Sequence, residues 1–433
     1  MLMIESVAGS FGMHLSRRAV LGVIPVSALS LQLSRSAVAS EPTAGAMSPL
    51  ITSPPVVQHP AADGFTVHFA VAALATGWVE WGWSPDRLDH VAVAAQHGLV
   101  QASDMALAVR VRLDEAITAG KPVYYRVVAQ SLAYKNAYQL ERGKVVAGEV
   151  QRLRLPSAHA DQVTIAIVND THENRATIDA LHTRVAAVDP DVLLWNGDTC
   201  NDFDAQDVPM QIVLNPAQDI AKGWASTRPL LFVPGNHDVR GQRARELAAG
   251  LSGWPDQSEL PYNFALRLGP IALVGLDTGE DKPDTHPVFA GTAAYEPYRQ
   301  QQAVWLKKAV ERPEIAEAPI RIAVCHIPLR GLPGHNDGTT LEGHAYYSGM
   351  GAKLWLPTLR DARFVAVISG HMHQHRIDDP NDTESIMQVV GGGPRPDGAT
   401  LTIIHVKGDT AELRVEDLAG KTISRREWSL PAG

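Results

Sequence analysis

Residues 191–201 read DVLLWNGDTCN, in which a continuous apolar run passes directly into a cluster of small and polar residues. An apolar run without polar alternation is typical of a strand that is buried on both faces. The same type of run recurs at residues 163–168, 229–233, 271–276, 320–325 and 364–368. Helical patterns lie between some of these runs, at residues 175–188 and 299–312. This alternation predicts an α/β fold in which functional groups stand where strands end in loops.

Polar residues of a consistent kind follow five of these runs. They are Asn169-Asp170-Thr171-His172, Asn196-Gly197-Asp198-Thr199-Cys200-Asn201, Gly235-Asn236-His237-Asp238, Cys325-His326 and Gly370-His371-Met372-His373. Each short motif alone is common in turns, but their repetition at successive strand ends indicates one shared site. Glycines beside the acids and histidines allow a tight turn or a close approach of the main chain to a ligand.

The donors in this set are carboxylates, imidazoles and an amide oxygen. Such ligands suit Mn, Fe, Zn or Co and do not require a thiolate. Two ions held about 3.5–4 Å apart can polarise a phosphoryl group and stabilise both the attacking and the leaving oxygen. They would also supply local positive charge, which a chain with a formal net charge of −9 needs to bind an anion. The sequence therefore predicts a two-metal site that acts on a small-molecule phosphoester.

The ordered motifs resemble those of the calcineurin-like metallophosphoesterase superfamily over about residues 160–405. The resemblance implies a four-layer sandwich of two mixed β-sheets flanked by helices. It also implies that one ion is bound by Asp170, His172 and His373, the other by Asn236, His326 and His371, and that Asp198 bridges both. In that pattern a metal-bridging hydroxide attacks phosphorus in line, without a covalent phosphoenzyme.

His237 is not a ligand in the family pattern. The resemblance puts it near the leaving group as a candidate general acid, with Asp238 to orient it; the alternative is a hydrogen-bonded turn residue. His371, His373 and His375 occupy alternate positions, and in an extended chain such side chains point the same way. We expect His371 and His373 to reach the two ions in this manner, and His375 to be a supporting or surface residue.

The N-terminal segment differs from the rest of the chain. A paired arginine within SRRAVL (residues 16–21) precedes an apolar stretch and the small residues AVAS (37–40). These features predict a cleavable export signal of the twin-arginine type, cut near Ala39; the alternative is an ordinary amphipathic helix. No later apolar run reaches the roughly 20 residues of a membrane span. We therefore expect a soluble periplasmic or secreted protein.

The region after the signal contains short, alternating apolar stretches at the spacing of strands in a β-sandwich. Trp78, Trp81 and Trp83 indicate either a carbohydrate platform or, in the favoured interpretation, a sandwich core. The predicted division is a signal peptide at 1–39, a Pro/Ser/Thr-rich linker at 40–58, an immunoglobulin/fibronectin-like domain at 59–155 and a metallophosphoesterase domain at 156–433.

This domain order resembles that of purple acid phosphatases, but two positions depart from that subclass. Purple acid phosphatases have a tyrosine iron ligand where this chain has Asn201, and another residue where it has His172. The resemblance therefore implies the domain order and phosphoester chemistry, but no purple Fe(III) site.

Composition sets the outer limits of these predictions. The 433 residues favour two domains, and 45% hydrophobic with 20% charged residues is typical of a globular protein. The acidic net charge excludes a general attraction to nucleic acid or anionic membranes. The two cysteines, Cys200 and Cys325, exclude a disulfide-dense scaffold. We expect them to be small buried residues near the site, and a disulfide between them is the alternative.

Three segments between the motifs, 201–227, 277–298 and 329–351, are long enough to shape a substrate pocket. Candidate substrate contacts are Asn201, Arg330, His335 and His344. The expected function is an exported dinuclear-metal phosphatase or phosphodiesterase. One alternative is a nucleotide or cyclic-nucleotide phosphodiesterase, and another is a non-catalytic adhesion or glycan-binding protein with an inactive metal site.

Overall fold

The computed structural model describes residues 50–113, 121–251, 259–331 and 344–430, with the side chains of 344–347 excluded. The predicted signal peptide, most of the predicted linker and His335 therefore lie outside the described residues. Along the described chain, an all-β region from residue 56 to 153 precedes a mixed α/β region that begins at residue 162.

The all-β region consists of short antiparallel strands. In chain order they are β1 (Val56–Ala61), β2 (Gly64–Ala70), β3 (Ala75–Gly82), β4 (His90–Val93), β5 (Ala95–Gln96), β6 (Leu99–Val100), β7 (Ala102–Ser103), β8 (Ala106–Arg112), β9 (Val123–Asn136), β10 (Gln139–Ala147) and β11 (Gln151–Leu153). The two larger sheets have the orders β1-β2-β8 and β10-β9-β3-β4, the second with β7 and β11 at its margins, and β5 and β6 form a separate two-stranded sheet. The two sheets enclose a common core, as in a sandwich.

That core contains Phe65, Trp81 and Tyr125, and Trp81 is only 3% exposed. Trp83 is half-buried and packs against the same cluster. The interpretation of these tryptophans as core residues is therefore confirmed for Trp81. Strand β2 is buried along its whole length, and Ala70 at its end belongs to a core cluster made mostly of residues from the α/β region.

The α/β region contains two mixed sheets and several helices. The strands are β12 (Gln162–Val168), β13 (Val192–Asn196), β14 (Leu230–Val233), β15 (Phe264–Leu268), β16 (Ile271–Leu276), β17 (Ile320–Cys325), β18 (Ala366–Ser369), β19 (Arg376–Asp378), β20 (Met387–Val390), β21 (Thr400–Lys407), β22 (Thr410–Asp417) and β23 (Thr422–Ser429). The α-helices are α1 (Arg175–Val188), α2 (Pro209–Leu214), α3 (Tyr295–Val310), α4 (Pro313–Ala316) and α5 (His344–Asp361). The sheet orders are β14-β13-β12-β21-β22-β23 and β15-β16-β17-β18-β20-β19.

These elements form four layers. Ile165 of β12 packs against Ile322 of β17 in the core between the two sheets. Its neighbour Ala166 points the other way and packs with α1. On the far side, Leu306 of α3 and Trp355 of α5 cover the second sheet. Both faces of each central strand are thus buried, which explains the continuous apolar runs and confirms the predicted four-layer α/β sandwich.

The helix boundaries agree with the sequence prediction in one case and differ in two. Helix α1 spans the predicted residues, and its N-cap Asn174 accepts a hydrogen bond from the main-chain nitrogen of Thr177 at 3.2 Å. Helix α3 begins at Tyr295 rather than at residue 299, and α5 begins within the segment 329–351 that was expected to be a loop. Among the described residues, no helix has both the length and the apolar character needed to cross a bilayer.

The carboxyl ends of the central strands bring the polar motifs together. Strands β12, β13 and β14 are parallel to one another, and so are β16, β17 and β18 in the second sheet. Residues that follow parallel strands meet at one edge of the sheet. Because the two sheets pack face to face, one edge of this sandwich collects all five motifs.

The all-β region contacts the α/β region through main-chain and buried polar groups. The main-chain nitrogen of Val57 donates to the carbonyl oxygen of Ala225 at 2.8 Å. The hydroxyl of Tyr125 donates to the carbonyl oxygen of Ser226 at 2.8 Å, and Nε2 of Gln58 donates to that of Gly250 at 2.9 Å. These bonds satisfy polar groups that the contact buries.

Candidate metal centre

Seven residues from the five motifs converge into two groups of potential ligands. One group comprises Asp170, His172, Asp198 and His373, and the other comprises Asp198, His326 and His371; within each, one ligand atom per residue lies within 4.8 Å of the others. Oδ1 of Asn236 lies 2.8 Å from Nδ1 of His371, which adds an amide oxygen to the second group. Asp198 belongs to both groups, as the resemblance implied.

The shared carboxylate lies between histidines of the two groups. Oδ2 of Asp198 is 3.4 Å from Nε2 of His172 and 3.1 Å from Nε2 of His326. In the first group, Nε2 of His172 also lies 3.0 Å from Nε2 of His373. Imidazole nitrogens that converge on each other and on carboxylates, without a better hydrogen-bond partner, are arranged as they would be around a cation.

The main chain at these positions is held in an unusual conformation. Asp170, His172, Asp198, His371 and His373 all have positive φ angles, between 43° and 71°. Residues other than glycine rarely adopt this region, and such strain concentrates at functional sites. Hydrogen bonds between the loops maintain it: the main-chain nitrogens of Asp170 and His172 donate to the carbonyl oxygens of Gly197 and Asp198, each at 3.0 Å.

Two glycines are required by the closeness of these loops. A Cβ atom on Gly235 would stand 2.2 Å from Oδ1 of Asp198. At Gly197, which has a φ of 77°, it would stand 2.4 Å from Nδ1 of His326. Any side chain at either position would push a candidate ligand out of its group, as expected for glycines beside a ligand-binding main chain.

Electrostatics at the centre favour a bound cation. Burial by itself lowers the pKa of His326, but Asp198 and Asp170 outweigh it and raise this pKa to about 10. Burial likewise opposes ionisation of Asp198, yet His326 and His172 hold its pKa well below the usual range. The buried carboxylates therefore stabilise positive charge in this space, and metal binding competes with protons for such ligands.

The residues present also fit metal ions by their hydrogen bonding. Nδ1 of His326 lies 2.9 Å from the carbonyl oxygen of Asn196 and donates to it. This leaves Nε2 as the ligand atom; it is buried and forms no well-aligned hydrogen bond, although Oδ2 of Asp198 lies 3.1 Å away. A buried polar atom without a partner is costly unless something else satisfies it, and a metal ion would do so.

His237 stands next to the ligand groups but is oriented differently from the prediction. Its Nδ1 donates to the main-chain carbonyl oxygen of Asn201, and its ring centre lies 4.8 Å from that of His172. Asp238 does not orient the ring. Its Oδ1 accepts hydrogen bonds from Thr199, one from the main-chain nitrogen at 2.9 Å and one from the hydroxyl. Its Oδ2 accepts a hydrogen bond from the main-chain nitrogen of Gly235 at 2.8 Å. Asp238 is thus a buried residue that connects two loops by hydrogen bonds, because both its oxygens face main-chain donors.

The three alternate histidines do not form a row. Strand β18 ends at Ser369, and the chain then turns through His371 and His373, whose φ angles are 71° and 54°. The two side chains therefore reach different groups through a turn and not through strand alternation, which corrects the geometry that we inferred from sequence. His375 points elsewhere, with Nδ1 2.9 Å from the carbonyl oxygen of Val390 and Nε2 2.8 Å from the hydroxyl of Ser424.

The two cysteines are free and buried. Sγ of Cys200 lies 3.8 Å from Oδ1 of Asp238, and Sγ of Cys325 donates to the carbonyl oxygen of Ile327 at 3.3 Å. Burial raises the pKa of both thiols, that of Cys325 to about 12. They therefore pack near the site as neutral thiols, as expected, and do not form a disulfide.

The candidate substrate contacts receive mixed support. Asn201 has an exposed side chain beside the site, and it contacts His237 through its main-chain oxygen. Arg330 is engaged elsewhere, since its Nη1 donates to the carbonyl oxygens of Asp378 and Asp379, each at 3.0 Å. His344 is the first residue of α5, but its side chain is not among those described, and His335 lies outside the described residues.

Sequence reasoning missed Arg240, which contacts the candidate acid. Its Nη1 lies 3.3 Å from Nε2 of His237. Its Nη2 donates to Glu280 at 3.0 Å and to Asp281 at 2.6 Å. The one hint in the sequence is its position two residues after the Gly-Asn-His-Asp motif, because the acids that hold it come from a distant segment.

The chain is similar to one protein family and to solved structures. The model of the calcineurin-like phosphoesterase family matches residues 163–375. The structure of purple acid phosphatase PPD1 from yellow lupin (Lupinus luteus) seeds is similar with a TM-score of 0.62 at 13% identity, over 87% of this chain and 74% of that one. The structure of PhoD is similar with a TM-score of 0.56 at 12% identity, over 88% of this chain and 94% of that one.

No curated protein sequence matches this chain. At the identities given above, the two solved structures show a common fold only. The family model covers the strands and all five motifs that carry the candidate ligands. Residues 163–375 of this chain therefore match the calcineurin-like phosphoesterase family model.

Proposed function

We propose that this protein is a dinuclear-metal phosphoester hydrolase. The observation that carries the proposal is the pair of ligand groups that share Asp198. The main-chain nitrogen of His237 donates to Oδ1 of Asp198 at 2.9 Å, which puts a titratable ring beside the shared ligand. The family match supports the same class of reaction.

Each part of the centre would hold one ion. The ligands would be Asp170, His172 and His373 for one, Asn236, His326 and His371 for the other, and Asp198 for both. When bound, the ions supply Lewis acidity to the phosphoryl group and make water a better nucleophile. Mn, Fe, Zn and Co all suit this mixture of oxygen and nitrogen donors.

The role of His237 is to move a proton to the leaving oxygen. Because Nδ1 donates to the oxygen of Asn201, the transferable proton belongs on Nε2. Nε2 faces Nη1 of Arg240. Because a guanidinium can only donate hydrogen bonds, Nε2 is unprotonated in this state and takes its proton from solvent. Water attacks phosphorus in line with the leaving oxygen, and transfer from Nε2 then lets the alcohol depart as a neutral molecule.

Hydrolysis of p-nitrophenyl phosphate and bis(p-nitrophenyl) phosphate tests the proposal directly. The protein is stripped of metal and reloaded with Mn, Fe, Zn or Co, and the bound metal is counted before each assay. We expect metal-dependent release of p-nitrophenolate, with the ratio of the two rates assigning monoester or diester preference.

Other results would favour the alternative functions. Failure of both esters to react on protein that holds two ions per chain would contradict the hydrolase and favour a binding protein with an inactive centre. Turnover confined to nucleotides or cyclic nucleotides would favour a nucleotide phosphodiesterase.

We also propose that the protein works in the periplasm or outside the cell. A twin-arginine signal at residues 1–39 would export it already folded, followed by a linker at 40–58 and a fibronectin-like domain at 59–155. Arg17 and Arg18 are the paired arginines that support this proposal. The double substitution R17K/R18K should leave the precursor in the cytoplasm. Undiminished export of that variant would contradict the proposed route.

A further inference from the structure

A large cavity with several aromatic side chains in its wall lies beside Arg240, the residue that contacts His237. It has a volume of about 770 Å³, which falls within the range of cavities that bind small organic molecules. Arg240 forms part of its wall, and so do four aromatic side chains, Tyr262, Phe289, Tyr295 and Tyr298. Inorganic phosphate bound at the ligand groups would leave this space empty, so its size points to another part of the substrate.

Arg240 joins the cavity to the candidate centre. The ring of His172, a candidate ligand, is 4.8 Å from the ring of His237. Nε2 of His237 is in turn 3.3 Å from Nη1 of Arg240, which lines the cavity. The order from the centre outward is therefore ligand, candidate acid, arginine, cavity. Glu280 holds the arginine in place from a buried position.

The cavity wall is suited to a flat ring. Phe289 and Tyr295 lie edge to face with ring centres 6.2 Å apart, which is the usual arrangement of packed aromatics. The hydroxyl of Tyr298 is hydrogen-bonded to the buried carboxyl of Asp277, so its ring and not its polar group is free for contact. Burial raises the pKa of Tyr295 and Tyr298, which keeps both neutral.

We propose that this cavity binds the alcohol part of the substrate and that this part is a flat aromatic group. The proposal rests on the proposed hydrolase, in which Nε2 of His237 protonates the leaving oxygen. The oxygen of water forms the new bond to phosphorus, the bond from phosphorus to the alcohol oxygen breaks, and that oxygen gains a proton through His237. Whatever is attached to it must then extend past Arg240 into the cavity.

The aromatic group could belong to an aryl ester or to a nucleotide base, and three substrates distinguish these sources. They are 1-naphthyl phosphate, adenosine 5′-phosphate and glycerol 1-phosphate, which offer an aryl ring, a base and no ring. We expect at least one of the two aromatic esters to have a KM roughly tenfold or more below that of glycerol 1-phosphate. The aromatic ester with the lower KM identifies the source of the ring.

A substitution that fills the cavity provides the decisive comparison. Ala293 lines the cavity in a half-buried position, and Ala293→Trp would occupy part of the space with an indole ring. Val304 lies on α3, is 59% exposed and does not line the cavity, so Val304→Trp is the matched control. Ala293→Trp should raise the KM of the preferred aromatic ester about tenfold and leave that of glycerol 1-phosphate unchanged. Val304→Trp should alter neither value.

A binding measurement separates failure of this inference from failure of the proposed function. The affinity of metal-free protein for 1-naphthol and for adenosine, measured by calorimetry, does not require hydrolysis. The inference is supported if wild type and Val304→Trp bind one of these two compounds and Ala293→Trp binds it about tenfold more weakly. Equal binding by all three proteins, absence of binding by wild type, or equal loss of activity on all three esters in Ala293→Trp would each overturn the inference.

Discussion

Two equally buried histidines, His326 in the α/β region and His68 in the all-β region, respond to burial in opposite ways. Both have no exposed surface. Burial lowers the pKa of His68 to about 4, an effect that the nearby carbonyl of Ala249 offsets only in part. At His326 the same penalty is outweighed by Asp198 and Asp170, and the pKa rises to about 10.

The contrast shows what makes a histidine cluster a site. His68 lies inside β2, where its neighbours are sheet residues and the ring of His59, 5.9 Å away. His326 follows the end of β17, where loops from both sheets bring carboxylates within about 4 Å. Burial alone therefore excludes charge, whereas strand ends can supply the opposite charge that makes a cation stable.

Removal of the shared carboxylate should have the largest effect on the environment that distinguishes His326 from His68. Asp198→Ala should lose both ions and reduce hydrolysis by more than roughly 10⁴-fold, the upper range for one acid–base group. Metal content measured by mass spectrometry, together with ester hydrolysis, checks this. Asp202→Ala, an exposed acid on the same loop, should change neither. Retention of two ions by the Asp198 variant would contradict the shared-ligand arrangement.

A histidine of the same region that is not a ligand should behave differently. His237→Ala should keep both ions and slow hydrolysis by about 10²- to 10⁴-fold, most of all for esters with poor leaving groups. The comparison uses an alkyl and a p-nitrophenyl ester on protein of known metal content. His375→Ala is the control, because that ring bonds to Val390 and Ser424 away from the ligands. Equal slowing of both esters would argue against proton transfer by His237.

The pH dependence of folding should show the effect of burying His68. Its pKa is lower in the folded protein than the usual 6.5, so the unfolded chain binds the proton more readily. Stability contributed by this residue is therefore complete above pH 6.5 and falls as the pH is lowered toward 4, by about 3 kcal/mol in all.

Denaturant unfolding of wild type and His68→Phe at pH 7.0, 5.5 and 4.5 measures this contribution. The difference in free energy of unfolding between the two proteins should shift steadily in favour of the variant as the pH falls. A difference that does not depend on pH would mean that His68 is protonated equally in both states.

The smallest expected effect concerns a residue that orients a ligand. Nδ2 of Asn169 donates to Oδ2 of Asp170 at 2.6 Å and to the carbonyl oxygen of Gly392 at 2.8 Å. Asn169→Ala should weaken the binding of one ion by about 10- to 100-fold, which is the usual range for residues that hydrogen-bond to a metal ligand. The second ion, held without Asp170, is the internal control in a metal titration. If the affinity for both ions fell equally, the substitution would have caused a general loss of structure instead.

Much of the candidate centre could be predicted from sequence because most of the candidate ligands follow a strand with a simple pattern. The run before Asp198 is continuous and apolar, and it became β13 within one residue of the predicted limits. The same logic located Asp170 after β12 and His326 after β17. Such local patterns carry information about position because parallel strands bring their ends to one edge.

The parts that sequence did not predict depend on contacts between distant segments. Arg240 is held by Glu280, which is 40 positions away, and Asp238 bonds to Thr199 rather than to its neighbour. The aromatic cavity combines Tyr262 with Tyr295, on a loop and a helix that show no common pattern. The turn at His371 requires a positive φ, which strand periodicity cannot indicate.

The bond between His237 and Asn201 has a consequence for genetic experiments. The atom that holds the ring is a main-chain oxygen, which every amino acid at position 201 would supply. An alanine scan through this loop would therefore report the position as dispensable. Replacing Asp202 by its α-hydroxy acid would instead turn the carbonyl at 201 into an ester, a poorer acceptor. Chemical synthesis of the protein, rather than codon changes, is the route to probing this contact.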